Sequence, residues 1–346
     1  MNRSVRARRL PAAVLAVALS TTLLAACGSN GDSKAADTAK PAADTAKPAG
    51  DASAAAGAAA VFPRTVTHAA GTAEIKAQPK RVVVLDSGEL DDVTLLGITP
   101  VGAVSPHMKT EGGFPNYLKD KIKDAKDVGP MNEPNLELIA SLKPDLILSS
   151  KVRHAKVYDK LNAIAPTVLA ETTGFPWKAN LALYAQALGK EAEAKKALTD
   201  YEARAAKLGE AIKAKNSGTM PNASVVRFVA GPTRLYGKAS YSGVVLKDVG
   251  LTRPVSQDVD QNILEVSAEQ INQADADLVF VTVADDPSKT KQSEVQDTPV
   301  WKGLNAVKDN KVFNVPDETW MSGIGVQAAD AMLVDIAKAA GVDAPK

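Results

Sequence analysis

The chain has 346 residues, with 41 Lys plus Arg against 40 Asp plus Glu and a formal net charge of +1. This balance argues against a polyanionic partner such as nucleic acid, which selects a basic surface. The length allows one large domain or two lobes with buried cores. With Cys27 as its single cysteine, the chain forms no internal disulfide, so its stability must come from core burial.

Residues 1–26 have the pattern of an export signal. Several arginines precede a short apolar run that ends at Leu24-Ala25-Ala26-Cys27. The run is shorter than the about 20 apolar residues that a membrane-spanning helix needs. A cysteine after Leu-Ala-Ala resembles the lipobox of bacterial lipoproteins. We therefore predict a lipoprotein signal peptide, exported by the Sec or the twin-arginine route, and lipidation of Cys27 at the extracytoplasmic face of the cell membrane.

Residues 27–60 are predicted to be a lipidated, disordered tether. They consist mainly of small and polar residues, and the segment 35–41 is repeated as 42–48. Each repeat ends in a proline, which breaks helices. So few apolar side chains cannot offset the entropy lost on ordering.

Residues 61–176 are predicted to form an N-terminal α/β lobe. Short runs of Val, Ile and Leu alternate there with helical patterns. Such runs are typical of strands that are covered on both faces. The strand–helix–strand order favours a parallel sheet. The predicted strands are Val82–Leu85, Val101–Val104 and Leu146–Ser149.

Residues 177–220 are predicted to contain a long spine helix. The stretch from Glu191 to Lys215 has no proline, and its apolar residues recur at three- and four-residue spacing. A second alternating segment follows, and we predict a C-terminal α/β lobe at 221–346. The alternative is a surface helix of one continuous domain.

An internal echo supports two similar lobes. Glu137 precedes Asp145 by eight residues, and Glu269 precedes Asp277 by the same eight. Each aspartate opens an apolar run, and each glutamate lies in a short helical pattern. The predicted fold class is therefore α/β, with two α/β lobes joined by one long spine helix, a ligand cleft between the lobes and a disordered N-terminal tether.

Several stretches together resemble one protein family, the substrate-binding lipoproteins of bacterial iron–siderophore ABC importers with a helical spine. Closest in appearance are actinobacterial receptors for ferrioxamine-type hydroxamate siderophores. The stretches are Phe62-Pro-Arg-Thr-Val-Thr-His, Gly71-Thr-Ala-Glu-Ile, Pro79-Lys-Arg-Val-Val-Val-Leu, Glu133-Pro-Asn-Leu-Glu-Leu-Ile, Leu142-Lys-Pro-Asp-Leu-Ile-Leu, Val266-Ser-Ala-Glu-Gln-Ile, Asp277-Leu-Val-Phe-Val, Trp301-Lys-Gly-Leu-Asn-Ala-Val and Lys311-Val-Phe-Asn-Val.

The resemblance implies a monomeric binding protein and not an enzyme. It implies no cofactor and no protein-held metal, because the ligand is an Fe(III)–siderophore complex, here of the ferrioxamine trihydroxamate type. The ligand is passed to an ABC permease dimer with its ATPase. Glu137 and Glu269 match the glutamates that meet permease arginines in this family; the alternative is that both are ordinary solvated side chains.

A siderophore already saturates Fe³⁺ with six oxygens, so the receptor needs hydrogen-bond donors and aromatic faces near the cleft. Arg153 matches a ligand-contacting position of hydroxamate receptors, and a guanidinium suits clustered oxygens. Lys151 and His154 are further candidates. The sequence departs from the family at Met131-Asn132, where hydroxamate members often have an arginine.

In the second lobe, the alternation of a strand places Arg234 and Tyr236 on one side, as a donor beside an aromatic face. Tyr241 follows shortly after them. Trp320, in a loop before the last helix, is expected to face the cleft, whereas Trp177 and Trp301 are expected to be structural.

Other functions remain open on the residues alone. Haem, cobalamin or a ferric catecholate could occupy the same scaffold, with His154 or Tyr236 as an axial ligand to haem. A direct metal-ion receptor is disfavoured, since no His-x-His spacing exists. A cell-wall enzyme is the remote alternative. The acidic residues Glu89, Asp91 and Asp92 lie near a helix start, where interaction with the helix dipole explains them better than catalysis.

Overall fold

The computed structural model describes residues 61–105, 114–284 and 286–346. The predicted signal peptide, Cys27 and the tether lie outside the described residues. Within the described part of the chain, no helix combines the length and the apolar character needed to cross a membrane.

The first lobe is built on a five-stranded parallel sheet of order β5-β4-β3-β6-β7, as the sequence predicted for this segment. A separate antiparallel hairpin precedes the sheet. Short 3₁₀ helices lie at Asn116–Lys121 and Ala155–Val157. The elements in chain order are β1 (Arg64–His68), β2 (Gly71–Ile75), β3 (Val82–Val84), α1 (Ser87–Leu95), β4 (Gly102–Ser105), β5 (Lys126–Pro130), α2 (Leu136–Ser141), β6 (Leu146–Ser150), α3 (Lys151–His154), α4 (Tyr158–Ile164) and β7 (Thr167–Ala170).

Two consecutive helices connect the lobes: α5 (Trp177–Leu188) and the spine helix α6 (Glu191–Lys215). The 25 residues of α6 correspond to about 37 Å at 1.5 Å per residue. Its apolar stripe, which includes Tyr201, Leu208 and Ile212, is buried as predicted. The long helix is thus confirmed, and it packs against α5 and against helices of the second lobe.

The second lobe has a mixed five-stranded sheet of order β10-β9-β8-β11-β12. Strands β8, β11 and β12 are parallel, whereas β9 is antiparallel to β8 and to β10. A 3₁₀ helix at Ala268–Ala274 precedes β11, and a π-helical turn at Glu318–Ser322 precedes the last helix. The elements are β8 (Ala223–Phe228), β9 (Thr233–Tyr236), α7 (Tyr241–Val249), β10 (Ile263–Val266), β11 (Leu278–Val283), α8 (Gln292–Asp297), α9 (Pro299–Lys302), α10 (Asn305–Lys308), β12 (Val312–Asn314) and α11 (Val326–Ala340).

The internal echo is confirmed in three dimensions. The Asp145 carboxylate accepts hydrogen bonds from the backbone N–H groups of Lys80 and Arg81, both at 2.9 Å. The Asp277 carboxylate accepts one from the N–H of Asn222 at 2.8 Å. Each aspartate thus joins the start of its own strand to the start of the neighbouring central strand. The two segments have the same place in the two lobes.

Candidate functional site

A pocket of about 180 Å³ lies between the lobes. It is at the carboxyl ends of the parallel strands, where open α/β sheets bind ligands. Three arginines line it, Arg153 from the first lobe and Arg227 and Arg234 from the second. Tyr236, Tyr241, Thr173 and Ile324 are among the other lining residues. Of the seven ligand-binding residues predicted from the sequence, the structure brings five to this pocket.

Arg153 is held by a buried aspartate of its own lobe. Its Nε lies 2.8 Å from Asp86 Oδ2, and the Asp86 side chain is 1% exposed. The other carboxylate oxygen of Asp86 accepts the N–H of Ser87 at 2.8 Å and so caps α1. Because Asp86 is fixed by this cap, it directs the guanidinium of Arg153 towards the pocket.

Arg227 is a pocket residue that the sequence analysis missed. It makes a bidentate ion pair with Asp317, with N···O distances of 2.6 and 2.7 Å. Thr282 and Ser322 also donate hydrogen bonds to this buried carboxylate, at 3.0 and 2.9 Å. The sequence did contain a signal for Arg227, because this residue interrupts the apolar run of β8. A charged residue in a buried strand requires a partner of opposite charge.

Four side chains form a polar row across the pocket-facing side of the second sheet. Strand register places Thr282 opposite Arg227, Arg227 opposite Arg234, and Arg234 opposite Glu265. Directly opposed residues project to the same face of a sheet. Arg234 is the least neutralised of the three pocket arginines, since its Nε is 3.7 Å from Glu265 Oε1 and has no hydrogen-bond partner among the described residues.

The two pocket tyrosines are largely buried, with 5% of Tyr236 and 4% of Tyr241 exposed. The Tyr236 hydroxyl accepts a hydrogen bond from Arg227 Nη1 at 3.2 Å. The Tyr241 hydroxyl donates to the carbonyl of Gly325 at 2.7 Å, and its ring contacts Trp177 edge-on at 5.8 Å. Both rings are therefore rigid parts of the pocket wall.

Trp320 borders the pocket but does not present the exposed aromatic face that the sequence analysis expected. Its side chain has no exposed surface, and its ring stacks on Phe280 at 4.4 Å between centroids. The indole N–H donates to Asp335 Oδ2 at 2.9 Å. The reason is local, because the π-helical turn directs this side chain into the core of the second lobe. Trp177 and Trp301 are buried, as predicted.

His154 and Lys151 do not line the pocket in the structure. His154 is buried, with Nδ1 2.6 Å from Ser149 Oγ and Nε2 donating to the carbonyl of Met131 at 2.8 Å. Lys151 is exposed and pairs with Glu171 at 3.0 Å. Residues in a helix point in successive directions about 100° apart, so α3 aims only Arg153 at the pocket. Both of these expectations are corrected, including His154 as an axial ligand to haem.

The acidic residues of α1 are buried rather than solvated at a helix start. Asp91 accepts hydrogen bonds from the N–H groups of Gln327 and Ala328, both at 3.1 Å, and so caps α11 of the other lobe. Gly325 makes this possible, because a Cβ there would lie 2.3 Å from Asp91 Oδ1. Burial raises the pKa of Asp91 to about 6. Asp91 thus caps a helix other than its own and joins the two lobes.

Glu89 is a second buried acid of α1. It accepts a hydrogen bond from the Tyr184 hydroxyl at 2.5 Å. Burial, followed by the nearby charge of Asp86, raises the pKa of Glu89 to about 8.

This shift predicts a pH-dependent stability. The folded state retains the Glu89 proton up to about pH 8, whereas an unfolded glutamate releases it near pH 4.5. Stabilisation is therefore complete below the unfolded pKa and is lost as the pH rises through the folded pKa. We expect the free energy of unfolding to be lower at pH 8 than at pH 5, with on the order of 4 kcal/mol of the difference due to Glu89.

Urea unfolding of Glu89→Gln at both pH values checks this prediction. The free energy of unfolding should differ less between pH 5 and pH 8 in the variant than in the wild type. Glu210→Gln, at an exposed position of the spine helix, is the control and should behave as the wild type does. An undiminished difference in Glu89→Gln would contradict the assignment.

Comparison with known proteins shows the family to which the chain belongs. The model of one family, described as periplasmic binding protein, matches residues 82–319. The chain belongs to the periplasmic binding protein family. This family comprises substrate-binding proteins, and the membership supports the prediction that the chain is a binding protein and not an enzyme.

Three relatives illustrate the similarity. The chain is 41% identical over 287 residues to a probable siderophore-binding lipoprotein, YfiY, of Bacillus subtilis, covering 79% of this chain and 86% of the relative. It is 33% identical to the Fe(3+)-citrate-binding protein YfmC of the same organism, covering 80% and 85%. The crystal structure of Staphylococcus aureus SirA complexed with staphyloferrin B matches with 38% identity and a TM-score of 0.75, covering 81% and 99%. The two-lobed fold predicted from the sequence is thus confirmed.

The two glutamates that were predicted from the sequence to dock the permease are both exposed. Glu137 lies in the first turn of α2, which Asn135 caps. Glu269 lies in the first turn of the 3₁₀ helix at Ala268–Ala274, and a hydrogen bond with Ser267 lowers its pKa. Neither is among the described residues that line the pocket.

Proposed function

We propose that this protein captures a ferric siderophore in the pocket between its lobes and delivers it to an ABC permease dimer with its ATPase. The observation that carries the proposal is the convergence of Arg153, Arg227 and Arg234, from both lobes, on one pocket at the strand ends. The siderophore and Fe(3+)-citrate ligands named for the relatives support the same ligand class.

In this proposal the arginines bind the oxygens that already chelate the iron, so no side chain replaces a ligand of the metal. A hydrogen bond to a charged group contributes about 1.5–3 kcal/mol. Arg153 and Arg234 would make the direct contacts, with Tyr236 and Tyr241 packing against the organic part of the ligand. Asp86 and Asp317 would hold the guanidiniums in place and so reduce the ordering cost of binding.

The charge of the pocket narrows the chemical class of the proposed ligand. Three guanidiniums face two buried carboxylates, which leaves one positive charge that, among the residues the structure describes, only the loosely paired Glu265 balances. This favours an anionic complex with carboxylate groups. The ferrioxamine trihydroxamate predicted from the sequence is the second candidate. It is favoured because Arg153 pairs closely with Asp86 and Arg227 with Asp317, which limits the excess positive charge of the pocket.

A titration with ferric citrate, ferric staphyloferrin B, ferrioxamine B, ferrichrome and haemin tests the function. We expect a ferric siderophore complex to bind with a submicromolar dissociation constant, which corresponds to about −8 kcal/mol. Arg153→Met and Arg234→Met should each raise this constant about tenfold or more, from the loss of charge-assisted hydrogen bonds. Haemin should give no axial-ligand Soret band.

Lys151→Met is the matched control, because it removes the same charge from the same short helix without touching the pocket. Its dissociation constant should equal that of the wild type. The proposal fails if no ferric complex binds, or if Lys151→Met weakens binding as much as Arg153→Met does.

Delivery to the permease is proposed to use Glu137 and Glu269, one exposed carboxylate from each lobe.

Lipidation of Cys27 would hold the monomeric protein at the extracytoplasmic face of the membrane. Mass spectrometry of the mature N-terminus would detect the lipid, and Cys27→Ala would release the protein into the soluble fraction.

A further inference from the structure

The three pocket arginines differ in how firmly their counter-charges are held. Asp86 and Asp317 have side chains that are 1% and 0% exposed, with ion-pair distances of 2.8 and 2.6 Å. Glu265 is different, since its side chain is 54% exposed and lies 3.7 Å from Arg234 Nε. Among the residues that the structure describes, it is the only carboxylate paired with Arg234.

The position of Glu265 explains this looseness. It lies on β10, the edge strand of the second sheet, directly opposite Arg234 on β9. Arg234 lines the pocket, whereas Glu265 lines a separate surface groove together with Lys291 and Glu269. The pair therefore extends from the pocket to the outside of the lobe.

Displacing Glu265 from Arg234 costs little, because the freed carboxylate stays in water and near Lys291. Displacing Asp86 or Asp317 would instead leave a buried carboxylate unpaired, which is strongly destabilising. Ligand oxygens can thus take over Arg234 without breaking a buried ion pair.

We propose that Glu265 is a displaceable counter-ion that determines which ligand charge the pocket accepts. The proposal rests on the proposed function. With Glu265 on Arg234, three carboxylates match the three arginines, and the charges of these described pocket residues sum to about zero. An anionic ligand that binds Arg234 displaces Glu265, and the pocket then supplies one positive charge. A cationic complex is repelled by Arg234 and therefore cannot displace Glu265.

Glu265→Gln tests the proposal with ferric citrate as the anionic probe and ferrioxamine B as the cationic probe. The substitution should tighten ferric citrate binding about two- to fivefold, the range for a partly exposed ion pair. Ferrioxamine B should bind no better than to the wild type. Glu294→Gln is the control, since Glu294 lines the same groove without an ion pair to Arg234 among the described residues, and it should change neither constant.

A double-mutant cycle separates a counter-ion from a general charge effect. In the Arg234→Met background, Glu265→Gln should no longer alter ferric citrate binding, because its partner is gone. An effect of equal size in that background would overturn the proposal, as would an unchanged affinity in Glu265→Gln alone. Failure of the wild type to bind either probe, or any ferric complex of the panel, would overturn the proposed function as well.

Discussion

Replacing Glu137 and Glu269 together by alanine is expected to stop siderophore-dependent iron uptake while leaving the ligand dissociation constant unchanged. The two carboxylates are exposed, lie on equivalent segments of the two lobes and are absent from the described pocket lining. Charges at such positions set the orientation and rate of association with a partner more than its intrinsic affinity. Loss of both should lower uptake of ⁵⁵Fe about 100-fold, because each lobe would lose its proposed contact with the permease.

The matched control is Glu74→Ala with Glu210→Ala, which removes the same charge from exposed positions outside these segments. This control should transport normally. The single variants Glu137→Ala and Glu269→Ala should give intermediate rates. Normal uptake by the double variant at positions 137 and 269 would refute docking through these glutamates, and a changed dissociation constant would indicate damage to the lobes instead.

Asp317→Asn is expected to destabilise the protein by about 3–5 kcal/mol, the usual effect of removing one partner from a buried ion pair. The carboxylate accepts two hydrogen bonds from Arg227, one from Thr282 and one from Ser322. Asparagine keeps the shape but not the charge, so Arg227 would remain with an unmatched positive charge in a largely buried position. Urea unfolding of the ligand-free protein measures the effect.

Asp297→Asn is the control for this experiment. Asp297 pairs with Lys302 at 3.4 Å, with both side chains mostly exposed, so its loss should cost less than about 1 kcal/mol. Replacing both buried partners, with Arg227→Met and Asp317→Leu, should recover at least half of the lost stability, because no unpaired charge remains. Ligand binding should be weaker in that double variant than in the wild type, because the pocket has lost one of its three arginines. Wild-type stability of Asp317→Asn would show that the pair does not support the second lobe.

The sequence predicted the helices and strands better than it predicted the directions of single side chains. The spine helix was predictable because helical periodicity and the absence of proline are local properties, and α6 has the bounds that the pattern indicated. The parallel sheet of the first lobe followed from strand–helix alternation. The mixed sheet of the second lobe did not, because β9 follows β8 after a short turn without a helix and so runs antiparallel to it.

Single side chains at the pocket were predicted less well than elements, for one physical reason. A position after a strand end can be read from the sequence, but the direction of a side chain depends on turn geometry and packing. Arg153 and His154 are neighbours, yet Arg153 lines the pocket while His154 is buried against Met131. Trp320 was expected at the cleft, and its loop coils so that its ring packs on Phe280.

By itself, the sequence determined the two repeated α/β lobes, the spine between them and the exposed glutamate of each lobe, since alternation, periodicity and spacing are written along the chain. Only the tertiary structure decided which charges meet. The Arg227–Asp317 pair, the cap of α11 by Asp91 and the contact of Arg234 with Glu265 join residues from separate elements. Such pairings depend on strand register and lobe packing, which no local pattern specifies.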